Sequence, residues 1–288
     1  MLLDNKNIHT DEVKHWQGLH LLYFPLSSCS QKVRILLKEK RIPFTAHKIN
    51  LKKGEHTTPW FLGINARGVV PVLIDNGQVH IESNDILCHL DHAHSSKQAS
   101  LLPKKGIEKL HANRFLDLED KMHEHLRVIT MQYLAPSKMM RKSPLQLKAY
   151  SENGQTNDYR QKQVDWWHNF STSGLSNQQI HSAIKAFHNS FSILDEQLMN
   201  EKFLLGSNLS VVDISWFITI HRLALAGFPV HLYSNLNKYY TGLLKRPHFR
   251  KEVSAGSYPL RILSWLVRNS KKLTKYSMAA TYKNVIYQ

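Results

Sequence analysis

Residues 68–91 read GVVPVLIDNGQVHIESNDILCHLD, a strand, a turn, a second strand and the start of a helix. Val69 and Val70 precede Pro71, and Val72, Leu73 and Ile74 follow it as an apolar run. Asp75-Asn76-Gly77 is hairpin-turn chemistry, because Asn and Gly tolerate positive φ. Val79 and Ile81 begin the return strand. Glu82-Ser83-Asn84-Asp85 then sets caps and acids ahead of Ile86, Leu87 and Leu90, which keep helical spacing. A proline between strand-forming valines cannot donate to a central ladder. The position therefore calls for an edge strand, or for a cis bond that turns the Val70 backbone outward. An outward backbone can pair with a ligand's backbone as an added strand does. About a dozen residues later, the expected helix N-terminus offers free N–H groups and a positive dipole end, which suit a carboxylate. Glu82 beside it can accept from an ammonium. Together these fit a peptide bearing an α-amino group and carboxylates; an ordinary hairpin followed by a capped helix accounts for the same residues.

Upstream, residues 1–18 have little periodicity and read as a tail. Leu19 to Phe24 is a short apolar strand ended by Pro25, and Leu26-Ser27-Ser28-Cys29-Ser30 forms a turn. From Gln31 to Lys40, Val33, Leu36 and Leu37 share one helical face, Pro43 follows, and Phe44 to Leu51 reads as a second strand. Strand, helix, strand is a parallel βαβ opening. Thr58 to Leu62 is a short helical turn, and the hairpin with its helix completes a βαβ-ββα unit. The hydroxyls and thiol of the SSCS turn stand where a helix begins. Unpaired N–H groups there lower a thiol pKa or polarise a hydroxyl, and plain N-capping by serine uses the same geometry.

The chain has 288 residues, a hydrophobic share of 42% and an aromatic share of 10%, which support a globular core in one or two domains. No apolar run approaches the ~20 residues a bilayer span requires, and the polar first residues lack the order of a secretion signal. Cys29 and Cys88 are too few for a disulfide framework, so a reducing cytoplasm is the expected setting. Against 22 acidic residues stand 38 Lys and Arg, a net charge of +16, which favours soft association with anionic surfaces or ligands. No zinc-finger spacing, RNP-type strand or basic-aromatic repeat points to specific nucleic-acid binding. His89, His92 and His94 suit neither one helical face nor a CxxC-type site, and read as surface histidines.

Residues 19–92 resemble the thioredoxin-like domain of the glutathione transferases. The matching residues are Ser27-Ser28-Cys29-Ser30-Gln31-Lys32-Val33-Arg34, Lys53-Gly54-Glu55-His56, Ile64-Asn65, Gly68, Val70-Pro71-Val72-Leu73 and Glu82-Ser83. SSCS before a basic-Val-Arg run is similar to the zeta class, the maleylacetoacetate isomerases. The Gln-Lys-Val-Arg and Glu-His-x-x-Pro-Trp-Phe segments resemble the ganglioside-induced differentiation-associated group, and the early KGEH resembles theta-class proteins. The resemblance implies an α/β thioredoxin-like N-terminal domain plus an all-α C-terminal domain, with glutathione as co-substrate. It implies that Pro71 is cis and that Val70 pairs with the cysteinyl backbone of glutathione. Glu82 and Ser83 would hold its γ-glutamyl end, and His56 its glycyl carboxylate. The family often has lysine just before Val-Pro; here that position is Val69, which leaves open whether Arg67 replaces it. The thiol activator aligns with Ser27 in the theta pattern, and Ser28 and Cys29 stay open beside it, whereas Tyr23 lies inside the strand.

Downstream, residues 95–105 form the expected linker and residues 106–257 a helical domain, with apolar spacing from Ile107 to Ile129. Residues 131–177 carry Pro136, Pro144 and few sustained periods, and read as a long insertion, partly helical around 145–150 and 159–170. Trp166 and Trp167 are expected to anchor it. The clearest helix spans Gln179 to Leu198, with Ile180, Ile184, Phe187, Phe191 and Leu194 as its core stripe. Ser210 and Asp213 form an acidic capping box, with Leu209 and Ile214 as its staple, ahead of a helix ending at Gly227. The family has the same cap and a break like Lys245-Arg246-Pro247, so the resemblance extends over about residues 19–255. The basic stretch 258–288, with Trp265 and Leu266 among Arg261, Arg268, Lys271, Lys272 and Lys275, is expected to pack over the helical domain in preference to lying on a membrane. The expected activity is addition of the glutathione thiolate to a small hydrophobic electrophile by a homodimer. The rival readings are a glutathione-dependent isomerase and a non-catalytic binding protein on the same fold.

Overall fold

A computed structural model describes residues 1–94, 99–153, 158–254, 262, 264–267, 269 and 277–287. They form two compact units. One is Met1–His94 with Arg141–Gly174, and the other is Ser95–Met140 with Leu175–Gln288. The first is built on a four-stranded sheet of order β2-β1-β3-β4, with β1 Leu19–Tyr23, β2 Thr45–Lys48, β3 Val72–Asp75 and β4 Gln78–His80. β1 and β2 are parallel, joined through helix α1 (Ser28–Glu39), and β3 runs antiparallel to both its neighbours. The hairpin turn uses positive φ at Asn76 and Gly77, as the Asn-Gly pair predicts. Helices α2 (Pro59–Ile64) and α3 (Ser83–Ala93) complete the thioredoxin-like layer. A buried ion pair joins α1 to α3: Lys40 Nζ lies 2.5 Å from Asp91 Oδ1.

The N-terminal stretch is more ordered than its sequence suggests, and the insertion is helical where its sequence suggests. The first 18 residues are not a loose tail. Ile8 and Val13 enter the core beneath the sheet, and the His9 N–H donates to the Gly63 carbonyl at 2.6 Å. The segment is built from 3-10 turns of 3 and 5 residues, too short to leave a period in the sequence. The insertion also folds, as α7 (Pro144–Glu152) and α8 (Asp158–Ser173), and is compact with the sheet unit rather than with the helices that flank it in sequence. Ser143 and Gln146 close a capping box at the start of α7, and Trp166 stacks on Phe170 within α8.

The second unit contains α4 (Gly106–Lys121), α5 (His123–Tyr133), α6 (Ser137–Met140), α9 (Asn177–Gln197), α10 (Val211–Ala226), α11 (Ser234–Leu244), α12 (Pro247–Ser254) and α13 (Met278–Ile286). Its centre is α10, almost wholly buried. Asp213 caps α10 by accepting from the Ser210 and Leu204 N–H groups and from the Tyr239 hydroxyl; burial raises its pKa and those bonds oppose the rise. α13 packs against α9, where the Tyr282 and Tyr233 hydroxyls lie 2.7 Å apart and both meet His188 Nδ1. Ser95 to Gln98 of the expected linker, and Arg261, Arg268, Lys271, Lys272 and Lys275 of the basic stretch, lie outside the described residues. No helix among the described residues is long and apolar enough to cross a membrane.

Candidate functional site

Strand register decides which residues meet. β1 pairs with β3 so that Leu22 faces Val72, and β1 pairs with β2 so that Tyr23 faces Lys48. The C-terminal ends of β1 and β2 therefore share one end of the sheet with the N-terminal end of β3. β4 runs back along β3, with His80 opposite Leu73, and ends there too. The segments that leave or enter at this end are Ser27–Cys29, the loop containing His56, Val70-Pro71 and Glu82-Ser83. Residues scattered over more than fifty positions of sequence are thus gathered by topology.

The Val70–Pro71 bond is cis. Val70 is nearly buried, and among the described residues no hydrogen bond engages its N–H or C=O. Asn65 steadies the approach by donating from Nδ2 to the Val69 carbonyl at 2.9 Å. Glu82 has φ 64°, a left-handed conformation that costs a residue with a Cβ roughly 1–3 kcal/mol and is held only where the surroundings demand it. It places Ser83 as the first residue of α3, with the Ser83 Oγ buried and without a hydrogen-bond partner. A bare hydroxyl among the unpaired N–H groups of a helix start is a ready anion site.

Ser27 is the N-cap of α1, its Oγ accepting from the Ser30 N–H at 3.3 Å. That bond uses a lone pair and leaves the Ser27 O–H to donate elsewhere. Ser28 and Cys29 form the first turn, both half-exposed, with Cys29 a free thiol. Tyr23 is turned away into a stack under Arg34, whose guanidinium lies 4.6 Å from the ring and donates to the Pro25 carbonyl ahead of the turn.

Arg67 does not stand in an open carboxylate position. It pairs with Glu82, and the Tyr159 ring of α8 covers it at 4.7 Å. His56 is buried against Tyr150 of α7, and its Nδ1 has no hydrogen-bond partner. Burial first, and then the charges of Lys142 and Arg160, lower its pKa to about 3. The insertion touches this loop directly, Asn153 Nδ2 donating to the Thr57 carbonyl at 2.9 Å, and a Cβ at Gly68 (φ 64°) would stand 3.1 Å from Arg160 Nη1. Lys142, Tyr150, Tyr159 and Arg160 were not legible as site neighbours in the sequence. The Ser143-x-x-Gln146 cap was the available signal that the insertion is built rather than loose. His89, on α3, pairs with Asp75 at 2.9 Å and stacks on His80.

Residues 26–93 match the family model described as the glutathione S-transferase N-terminal domain, and residues 177–242 the one described as its C-terminal domain. The stretch between them, which contains the insertion, matches neither. Glutathione S-transferase 1 of Dianthus caryophyllus is 43% identical over 75 residues, which are 26% of this chain and 34% of that protein. Ganglioside-induced differentiation-associated protein 1-like 1 of Homo sapiens is 22% identical over 91% of this chain and 80% of its own length. Among solved structures, the beta-etherase LigF of Sphingobium superposes with a TM-score of 0.71 at 20% identity, covering 82% of this chain and 99% of that one. A glutathione transferase family member from Pseudomonas fluorescens, with two glutathione bound, gives 0.61 at 15% identity, covering 85% and 98%.

Proposed function

The chain belongs to the glutathione S-transferase superfamily, and from that footing we propose that it binds glutathione at the Val70–Ser83 end of the sheet and adds the glutathione thiolate to a small apolar electrophile. The observation that carries this reading is the Val70 backbone, unengaged by the described residues, at the same end of the sheet as the bare Ser83 hydroxyl at the start of α3. An extended peptide laid on Val70 gains two main-chain bonds of the kind a strand makes. Its γ-glutamyl carboxylate then meets the Ser83 Oγ and the α3 N-terminus, and its ammonium meets Glu82. His56 faces the glycyl carboxylate. The cysteinyl sulfur is left for the Ser27–Cys29 turn.

The chemistry asked of the protein is modest. The glutathione thiol loses its proton to solvent, and the Ser27 O–H, with the N–H groups of the α1 start, holds the thiolate. The sulfur lone pair forms a bond to the electrophilic carbon. Either a leaving group departs with its bonding electrons, or an activated double bond takes them and then a proton. Binding both partners supplies the proximity term. A homodimer in a reducing, cytoplasmic setting belongs to the same proposal, and the relative that carries bound glutathione supports its ligand.

A second reading is a binding protein without turnover. It is favoured by one observation: Glu82 is engaged by Arg67, so the ligand ammonium must displace or share that partner. Binding and turnover measured together separate the two. The transferase reading expects glutathione binding and sulfur-linked conjugates with chloronitrobenzene- or enone-type electrophiles. Binding with no conjugate from any of them leaves the binding protein.

A further inference from the structure

The insertion lies along the stretch that leads to Val70 and touches it at successive points within one compact unit. Gln146 Nε2 donates to the Lys52 carbonyl at 3.3 Å, Asn153 meets the Thr57 carbonyl, and the Tyr150 and His56 ring centres are 5.9 Å apart. The contact farthest along this stretch differs in kind. The Tyr159 ring, at the start of α8, covers the Arg67 guanidinium at 4.7 Å, and that guanidinium pairs through Nη1 with Glu82 Oε1. The insertion, which neither family model covers, thus reaches a residue of the ligand site through one intervening side chain.

The Arg67–Glu82 pair is positioned from both ends. The Arg67 N–H donates to Oδ1 of the buried Asn65 at 3.1 Å. Glu82 stands at the N-cap of α3 with φ 64°, yet its carboxylate makes no cap bond to that helix and meets Arg67 instead. The two side chains keep 27% and 35% of their exposure, so the pair is one a ligand can displace rather than a locked buried bridge. The ring face over Arg67 adds an attraction that must also be given up when the guanidinium leaves. Glu82 is the carboxylate offered to the ligand's ammonium. While Arg67 holds it, the arriving ammonium meets a neutralised partner and a like charge beside it.

We propose that Arg67 is a built-in competitor for the α-ammonium of glutathione, and that Tyr159 of the insertion sets how strongly it competes. This rests on the glutathione reading above. It makes Arg67 and Tyr159 determinants of specificity at the amino end of the ligand. A tripeptide whose amino group is acylated gains nothing from Glu82 and does not contend with Arg67.

The test is calorimetric titration of the full chain with glutathione and with N-acetylglutathione, which lacks the ammonium. The proteins compared are the unaltered chain, Arg67→Met, Tyr159→Ala and the double variant. Arg67→Met is expected to bind glutathione about tenfold more tightly. Tyr159→Ala is expected to bind it about threefold more tightly, the size of a partly exposed cation–ring contact. Adding Tyr159→Ala to Arg67→Met should bring no further gain, because the ring acts only through the guanidinium. N-acetylglutathione should be tightened by none of them. A damaged fold weakens both ligands alike and lowers the melting temperature; Arg67→Gln then replaces Arg67→Met. Glutathione affinity that is unchanged or weaker in the folded Arg67 variant, or equal tightening of both ligands, overturns the proposal and leaves the glutathione reading standing. A full Tyr159→Ala effect in the Arg67→Met background overturns the part given to the insertion. If the unaltered protein binds neither ligand, the proposal and the glutathione reading fall together.

Discussion

At the scale of single residues, the proposed chemistry turns on a hydroxyl, and the local fold at the His56 loop on a glycine. The Ser27 Oγ already caps α1, and its O–H remains to meet a thiolate. Ser27→Ala is expected to lower kcat for conjugation at least tenfold, about 1.4 kcal/mol of transition-state stabilisation, with a much smaller change in glutathione affinity. Full activity in that variant would move the role to Ser28 or Cys29, and loss of activity only in Cys29→Ala would favour isomerase-type thiol chemistry. Gly68 has φ 64°, and a Cβ there would stand 3.1 Å from Arg160 Nη1 and 3.3 Å from the His56 carbonyl and from Leu62. Gly68→Ala is expected to destabilise the protein by about 1–3 kcal/mol, seen as a lower denaturation midpoint, because strain and contact act together. The Glu-Ser pair and Val-Pro were readable as a candidate site in the sequence because their residue types are unusual for a plain hairpin. The pairing of Arg67 with Glu82 was not, since it depends on a loop folding back over fifteen positions.

At the scale of elements, local signals were legible where they repeat or cap. The α9 stripe, the Asn-Gly turn and the Ser210–Asp213 box each appear where their sequences put them. The helical parts of the insertion were legible near 145–150 and 159–170, whereas the order of the first 18 residues was not, because their short 3-10 turns draw stability from the sheet core and not from a periodic face of their own. The α1–α3 clamp is an element-scale device. Asp91→Ala strands the buried Lys40 ammonium and is expected to cost about 3–5 kcal/mol, read from chemical denaturation, whereas Lys40→Met with Asp91→Leu should recover most of it. The buried histidines set an acid limit on the same unit. Burial and neighbouring positive charge depress His56 from 6.5 to about 3, and burial and His89 depress His80 to about 4. The unfolded chain therefore binds more protons below 6.5 than the folded one. Their contribution is fully present above that pH and is lost as pH falls through the window to about 4 and about 3. Lowering pH from about 7.5 to about 5 should remove on the order of 2 kcal/mol for each histidine, and His56→Gln should flatten the pH dependence of the melting temperature.

At the scale of the whole molecule, two family-matched stretches are separated by one that matches neither, of which residues 95–140 belong to the second compact unit and 141–174 to the first. The role proposed for the second unit, taking an electrophile, is the least determined by sequence, because its residues are selected first for packing around α10. The glutathione cradle is the claim on which the functional account stands. A ligand that binds only the folded chain stabilises it by about 2.7 kcal/mol at a hundredfold excess over Kd. The most direct measurement is isothermal titration of the full chain with glutathione at millimolar concentration, run beside Glu82→Ala. The account predicts saturable one-site binding that the Glu82 substitution weakens at least tenfold, because the ligand ammonium loses its charged partner. No heat from the unaltered protein, with no rise in its melting temperature, would contradict it.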